Sequence, residues 1–581
     1  MSIRHLAVLG TALLAVACGP SRGADGDAGA DVIGGTCAAG TQRCDGNQRL
    51  LCENDRWVVA DTCPNVCVDS LGCVLCEPGT GTCNGDTSTA CKDDGSGYED
   101  IFCDPLQGTL CNFETGVCAG ECAPANIGKN YIGCEYFPTV TGNEVDNAFT
   151  FAVAVSNTSA TVANVHVEGG ALATPMTFTV APQTVQVQVL PWVPQLKACT
   201  NGGGAIECGA PMESSVLALK GAYHLRSDQP VTVYQFNPLD YQIGGSCSLG
   251  GVGCSYTNDA SLLLPANAMT GNYFVASYPT WPGPLGNWPG FMTITATRDN
   301  TQVTIATTAS TQAGTGIPAF ATGVAQTLTM NQGDAAQLFT ITGDLTGSVV
   351  QADKPVQVIG GHYCTQAPNG ITACDHIEES IFPFEALDNK YIVSAPAVPV
   401  LPNGKVRIVR IVATEPNTTL TYDPPQAALP TTIANTGNFI EAIGMRETFF
   451  ISANHKVLVY EVMEGQEAEG NTGDPAMSLA VPVGQYRAAY QFHAPQNYVT
   501  LYVNIVAPPT ATVLLDTVPQ TGFTPIGNSG YGLLRVNLAK NGTGNYQITA
   551  DEPFGITVYG YGDWTSFWYP GGLDLSPIVV E

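Results

Sequence analysis

Apolar and polar residues alternate in short runs along most of this chain. In "YVTLYVNIV" (498–506), Val499, Leu501, Val503 and Ile505 fall on one face and Thr500, Tyr502 and Asn504 on the other, the period of a half-buried strand. Four longer stretches read strand–turn–strand: "FAVAVSNTSATVANV", "MTITATRDNTQVTI", "VRIVATEPNTTLTY" and "VNIVAPPTATVLL", with turns placed at Asn157, Asn300, Asn417 and Pro509.

Two further phrases keep step with these pairs. Ahead of each stands a proline- or glycine-bearing run that leads to a tyrosine: "APANIGKNYIG" (Tyr131), "LPANAMTGNYF" (Tyr273), "FPFEALDNKYIV" (Tyr391) and "VPVGQYRAAY" (Tyr490). Behind each comes an acid or amide, mostly followed by proline and an apolar run: "SDQPVTV" (227–233), "ADKPVQV" (352–358), "ANHKVLV" (453–459) and "ADEPF" (550–554). Asp and Asn side chains bond nearby backbone, and proline fixes φ while removing a donor, so each phrase reads as a turn between strands. Three landmarks in one order, four times over, are a tandem repeat.

The expected fold class is therefore all-β: four tandem β-sandwich-like repeats at 120–262, 263–380, 381–480 and 481–581, preceded by a small disulfide-rich region. A β-propeller is the alternative, with each repeat contributing two blades. Composition agrees: 64 Gly, 39 Pro and only 12% charged residues suit short strands with frequent turns. The formal charge of −29 offers no basic stripe for a phosphate backbone, which excludes nucleic-acid binding.

The first residues read as an address. "MSIRHLAVLGTALLAVAC" has a short basic start, an apolar run too short to span a bilayer, and small residues before Cys18, the pattern of a bacterial lipoprotein signal over residues 1–18. Ala15 stands where such a signal usually has leucine, with Leu14 one place earlier. Lipidation at Cys18 is the expectation, with 19–36 a Gly/Ala/Asp tether and the protein held in the cell envelope, outer membrane and surface-exposed, or secreted. The membrane is then touched only through lipid.

Apart from Cys18 the chain has twenty cysteines, an even number that fits an oxidising compartment. Residues 37–119 contain two six-cysteine units, Cys37, Cys44, Cys52, Cys63, Cys67, Cys73 and then Cys76, Cys83, Cys91, Cys103, Cys111, Cys118, whose first two gaps match. Such units are too poor in apolar residues to hold a core, so disulfides must stabilise them. "CVLC" (73–76) has zinc-type spacing but straddles the two units without a nearby histidine. The connectivity within 37–118 stays open among fifteen pairings per unit. Downstream, four close couples are expected to pin loops: Cys122–Cys134, Cys199–Cys208, Cys247–Cys254 and Cys364–Cys374.

"GHYCTQAPNGITACDHIEESIFPFEALDNKYIVSAP", with "GFMTITATRDNTQVTIA" before it and "VRIVATEPNTTLTYDPP" after it, resembles the IgG-Fc-binding protein N-terminal domain family. The likeness is best over 210–520. It implies a β-rich extracellular binding module and brings no catalytic set. Binding of antibody Fc is not carried over, because no residue-level motif accompanies it.

Candidate chemistry is sparse. One polar cluster surrounds the last cysteine couple: His362, Asp375, His376, Glu378 and Glu379. Imidazole and carboxylate there could hold a metal or act as an acid/base pair, but the preferred reading is a disulfide-clamped loop with solvated carboxylates. The acidic "CKDDGSGYED" lacks the register of a calcium loop, and no HExxH, GxSxG or P-loop pattern occurs, so no cofactor or metal is expected. In "YPTWPGPLGNWPGF" (278–291), Trp281, Trp288 and Phe291 are either an exposed contact for a partner or a loop folded back on its own sandwich. The expected function is a non-catalytic surface lipoprotein that binds extracellular protein or glycan in adhesion or recognition. The alternative is an exported hydrolase or metal-dependent enzyme near His362 and His376.

Overall fold

The structure, a computed structural model, describes residues 37–197, 214–244, 253–283, 286–399, 401, 404–468 and 471–578. Cys18, the tether, Cys199, Cys208 and Cys247 lie outside the described residues. The chain forms two compact units, a small one up to Ile101 with Phe113–Val117 and a large one of Phe102–Asn112 with the chain from Cys118 onward.

The small unit has almost no apolar interior. Leu50, Cys52 and Trp57 are buried, with Cys37 and Val59 against them. Disulfides Cys37–Cys52, Cys44–Cys67 and Cys63–Cys73 join the first cysteine to the third, the second to the fifth and the fourth to the sixth. The second set repeats the first and last of these links with Cys76–Cys91, in the small unit, and Cys103–Cys118, in the large one. Cys73 and Cys76 of the zinc-type motif therefore bond to different partners.

In the large unit one strand order recurs four times. The first module has Gly133–Tyr136, Phe151–Asn157, Ala163–Gly169, Met176–Val180, Val185–Leu190, Tyr223–Asn237 and Asp259–Leu263. The second has Asn272–Phe274, Gly290–Ala296, Thr301–Ala306, Gln326–Met330, Ala335–Thr340, a sixth strand in two pieces (Val349–Ala352 and Val356–Thr365) and Asp375–Ser380. The third has Asp388–Val393, Arg407–Ala413, Thr418–Asp423, Thr432–Ile433, Phe439–Met445, Phe449–Met463 and Met477–Leu479. The fourth has Arg487–His493, Thr500–Ala507, Val513–Leu515, Val518–Gln520, Gly532–Asn537, Asn545–Gly562 and Thr565–Pro570.

The sixth strand organises each module. Its first half pairs with the first and third strands, and its second half with the second and seventh, so two curled sheets share one long strand. This is sandwich architecture, and no four-stranded propeller blade is present among the described residues. The repeated "D-x-P-V" phrase marks the bend of that strand. There Asp228, Asp353, Asn454 and Asp551 each accept the backbone N–H of a third-strand or adjoining residue, Asn164, Gln302, Thr419 and Thr512, at 2.7, 2.7, 2.6 and 2.7 Å.

A tyrosine hydroxyl closes each bend. Tyr273, Tyr391 and Tyr490 donate to the carbonyls of Val356, Val457 and Phe554. In the first module Tyr136 does this, donating to Val231, and not the Tyr131 that the spacing singled out. Register explains the difference: Tyr136 lies opposite Leu225, six residues before the bend residue Val231, as Tyr391 lies opposite Ile451 before Val457. Asn157 ends the second strand and opens a longer turn: its Oδ1 accepts the Ser159 N–H at 2.9 Å and its Nδ2 donates to the carbonyls of Thr161 and Val180.

The modules close on one another. The seventh strand of the first packs against those of the second and fourth, and that of the third against those of the second and fourth. Residues 129–131 of the first module and 573–575 beyond the fourth bond reciprocally, Tyr131 N to Leu573 O at 3.1 Å and Leu575 N to Lys129 O at 3.0 Å. One hydrophobic core consequently runs through all four modules, from Tyr131 to Leu575. This also corrects the half-buried reading of "YVTLYVNIV". Asn504, on the expected polar face, is buried, because that face meets the third module through Ser394 and Ala395.

Candidate functional site

The five polar residues singled out in the sequence do come together, but not on a solvated loop. His362, Asp375, His376, Glu378 and Glu379 are all 0% exposed. Asp375–Ser380 is the seventh strand of the second module, and the Cys364–Cys374 disulfide sits at its base. A strand that is polar on both faces can be buried only if donors and acceptors arrive from elsewhere.

They arrive from the other modules. Glu378 takes hydrogen bonds from Gln235 Nε2 (2.7 Å), Ser261 Oγ (3.1 Å), Asn237 Nδ2 (3.1 Å) and Thr141 Oγ1, all in the first module, while His376 Nε2 lies 3.3 Å away. Burial pulls the Glu378 carboxyl up, yet the His376 imidazole beside it, with the Thr141 and Gln235 bonds, outweighs burial and holds the group below its ordinary range. Glu379 accepts from the N–H groups of Leu262 and Ser380, and Asp375 from Thr565 Oγ1 and Ser566 N of the fourth module. Burial pushes both carboxyls well above the ordinary range. His362 accepts the Cys364 N–H at Nδ1, and burial, with repulsion from His376, lowers its pKa to about 3.

Asp259, which sequence reasoning missed, is the centre of this network. Its Oδ2 accepts from Glu378 N (3.1 Å) and Met477 N (2.9 Å), and its Oδ1 from Ala260 N (2.9 Å) and Trp568 N (3.1 Å). One carboxylate thus gathers an N–H from the seventh strand of every module. No landmark shared by the modules marks it: at the same register from the bend, where the first module has Asp259 opposite Asn237, the second has Ile377 opposite His362.

The aromatic candidates are buried as well. Trp281, Trp288 and Phe291 are 8%, 3% and 0% exposed, which removes them as a partner contact. Trp281–Gly283 and Gly286–Trp288 form a hairpin whose indoles meet edge-on, and Trp288 rests on Tyr363 beside the Cys364–Cys374 disulfide. Phe291 stacks on His376 with ring centres 5.9 Å apart. The structure therefore merges the aromatic and polar candidates into one interior body. Of the four cysteine couples, Cys122–Cys134 and Cys364–Cys374 are formed, and Cys254 is disulfide-bonded.

Chemically this interior joins modules. Its five candidate side chains are fully buried, and among the described residues no group of three or more His, Cys, Asp and Glu is placed to hold a metal ion. Open concavity lies elsewhere, in a groove of about 350 Å³ between Pro105–Leu106 and the first module's Asn164, His166, Phe178 and Asp228. Asp104, Arg226, Glu168, His224, Glu135 and Arg298 stand in succession, each side chain within 3.5 Å of the next. Among the described residues no helix is long and apolar enough to cross a membrane.

The family model described as IgGFc binding protein matches residues 259–560, from the Asp259 that gathers the modules to the last long strand. A human protein named IgGFc-binding protein is 28% identical over 236 residues, which cover 40% of this chain and 4% of that protein. This chain thus corresponds to a small part of that relative's length. With the matched stretch spanning more than half of its residues, the chain belongs to the IgGFc-binding family.

Proposed function

We propose that this is a non-catalytic binding protein of the cell envelope, tethered by lipid at Cys18, whose β modules 120–262, 263–380, 381–480 and 481–581 present surface to an extracellular protein or glycan. One observation carries the reading: the acid and imidazole cluster near His362 and His376 is fully buried and occupied in joining modules. The family's name, the disulfide-dense small unit and the acidic surface support an extracellular binding role.

The name of the human relative states binding to IgG Fc. That makes Fc fragment the first probe for this chain, beside a glycan array, with the oxidised protein immobilised. Saturable binding to either supports the proposal. Turnover of an extracellular polymer, lost in a folded His376→Ala variant, would replace it with an exported hydrolase. Growth with labelled palmitate, comparing wild type with Cys18→Ser, tests the anchor: label and membrane association are both expected to vanish in the variant.

A further inference from the structure

The same sheet edge is treated differently in the four modules. In each, the fifth strand lies outside the second. In the second module Val216–Ala218 pairs antiparallel along the outer side of Ala335–Thr340, with Val216 opposite Gln337, and Ser215 Oγ accepts the Phe339 N–H. In the fourth, Thr524–Pro525 pairs along Gly532–Asn537. The third leaves Phe439–Met445 without an added strand among the described residues, but a register irregularity and Glu441, bonded to Arg410, break that edge. Charges and bulges are the usual protection of a free edge.

The first module's fifth strand, Val185–Leu190, has none of these. Its sequence is VQVQVL, without charge, proline or bulge. No strand among the described residues pairs with its outer side. Asn157 N donates to Thr184 O at 2.9 Å, so the main-chain groups of residues 184, 186 and 188 face the second strand, and those of Val185, Val187 and Val189 point outward. The outward carbonyls of Val187 and Val189 accept from the side-chain amides of Gln186 and Gln188, at 2.8 and 3.0 Å, and that of Val185 from Asn545 Nδ2 at 3.1 Å. These side chains occupy acceptors that a strand would otherwise use. The N–H groups of Val187 and Val189 have no partner among the described residues, and Val189 is 45% exposed.

We infer that the outer edge of Val185–Leu190 is a strand-addition site for a short extended segment of a partner protein, antiparallel and built of small and aliphatic residues. The occupant is read from the molecule itself. Val185 lies opposite Ser156 and Ala335 opposite Thr295, each one step from the residue that faces the bend, so Val187 corresponds to Gln337. The Val-Leu-Ala strand that covers Gln337 therefore shows what fits beside Val187. A formal charge of −29 favours a neutral or basic segment. The inference rests on the reading of the chain as a binding protein and adds the site and the partner's form.

The probe is a synthetic peptide with the sequence of residues 214–220, SSVLALK, added to the intact oxidised protein. Amide exchange at Val187 and Val189 should slow about tenfold when peptide stands at about ten times its Kd. Val187→Pro removes an outward N–H without breaking the bonds to the second strand, and Val189→Lys places a charge on the edge; each should abolish the protection. No slowing at these amides, or equal binding by both variants, overturns the site. Concentration-dependent dimerisation of the protein alone, lost in Val187→Pro, overturns the partner by making the occupant a second copy. If Val187→Pro keeps the binding of an Fc or glycan ligand, the edge falls while the binding function stands. If the wild type binds nothing, the function falls as well.

Discussion

Asp259 has four N–H donors on two oxygens, and three of them belong to other modules. Removing that acceptor leaves buried donors unpaired, each worth about 1–3 kcal/mol. Asp259→Asn, which keeps one oxygen, is expected to lower the urea midpoint, and Asp259→Ala to lower it further. Equal stability of all three proteins would show that the modules are held by apolar contact alone. Glu144 is a second test at this scale. It is 5% exposed, and burial pushes its carboxyl up to about 8. The native state therefore retains a proton that the unfolded chain releases near the ordinary glutamate value, and this contribution to stability falls as pH rises from there towards 8. Thermal unfolding of wild type should weaken across that window, and Glu144→Gln should flatten the slope.

At the scale of the element, the bent sixth strand is the recurring device, closed by an acidic or amide side chain on one side and a tyrosine hydroxyl on the other. Tyr391 both donates to Val457 O and accepts from Asp388 N, so Tyr391→Phe should cost about 1–3 kcal/mol. The first module separates register from mere spacing. Tyr136→Phe should destabilise comparably, whereas Tyr131→Phe leaves the bend intact, as denaturant melts of the two variants would show. Much of this element was legible in the sequence, because Asp, Pro and alternating apolar residues act locally. The tyrosine of the first module was misplaced because a loop shifts Tyr131 away from the position that pairing with Leu225 gives to Tyr136. The polar strand Asp375–Ser380 was misread for a different reason. Alternation reports what a strand's own faces meet, and the donors to Glu378 come from Thr141, Gln235, Asn237 and Ser261, distant in sequence. Nor could cysteine spacing choose among pairings, since connectivity depends on which strands turn back on each other.

At the scale of the whole molecule, the two units rely on different forces. The small unit buries few apolar side chains and is held by disulfides, whereas the large one has a continuous core. Reduction by a thiol should therefore abolish exchange protection in residues 37–101 while the β modules keep theirs. In the large unit, Leu573 and Leu575 are buried where residues 573–575 bond to 129–131. Deleting residues from 572 onward should turn a single calorimetric transition into at least two, with the first and fourth modules melting early. An uncut transition would mean that the seventh strands suffice.

That clasp sets the copy number. An open solenoid can gain or shed a repeat at either end and lose one interface in doing so. Here the ends are joined, and a shared carboxylate draws on all four members. A missing member leaves buried donors or acceptors without partners in the interior. On the proposed binding reading, variation in recognition is thereby confined to the loops and free margins of the quartet.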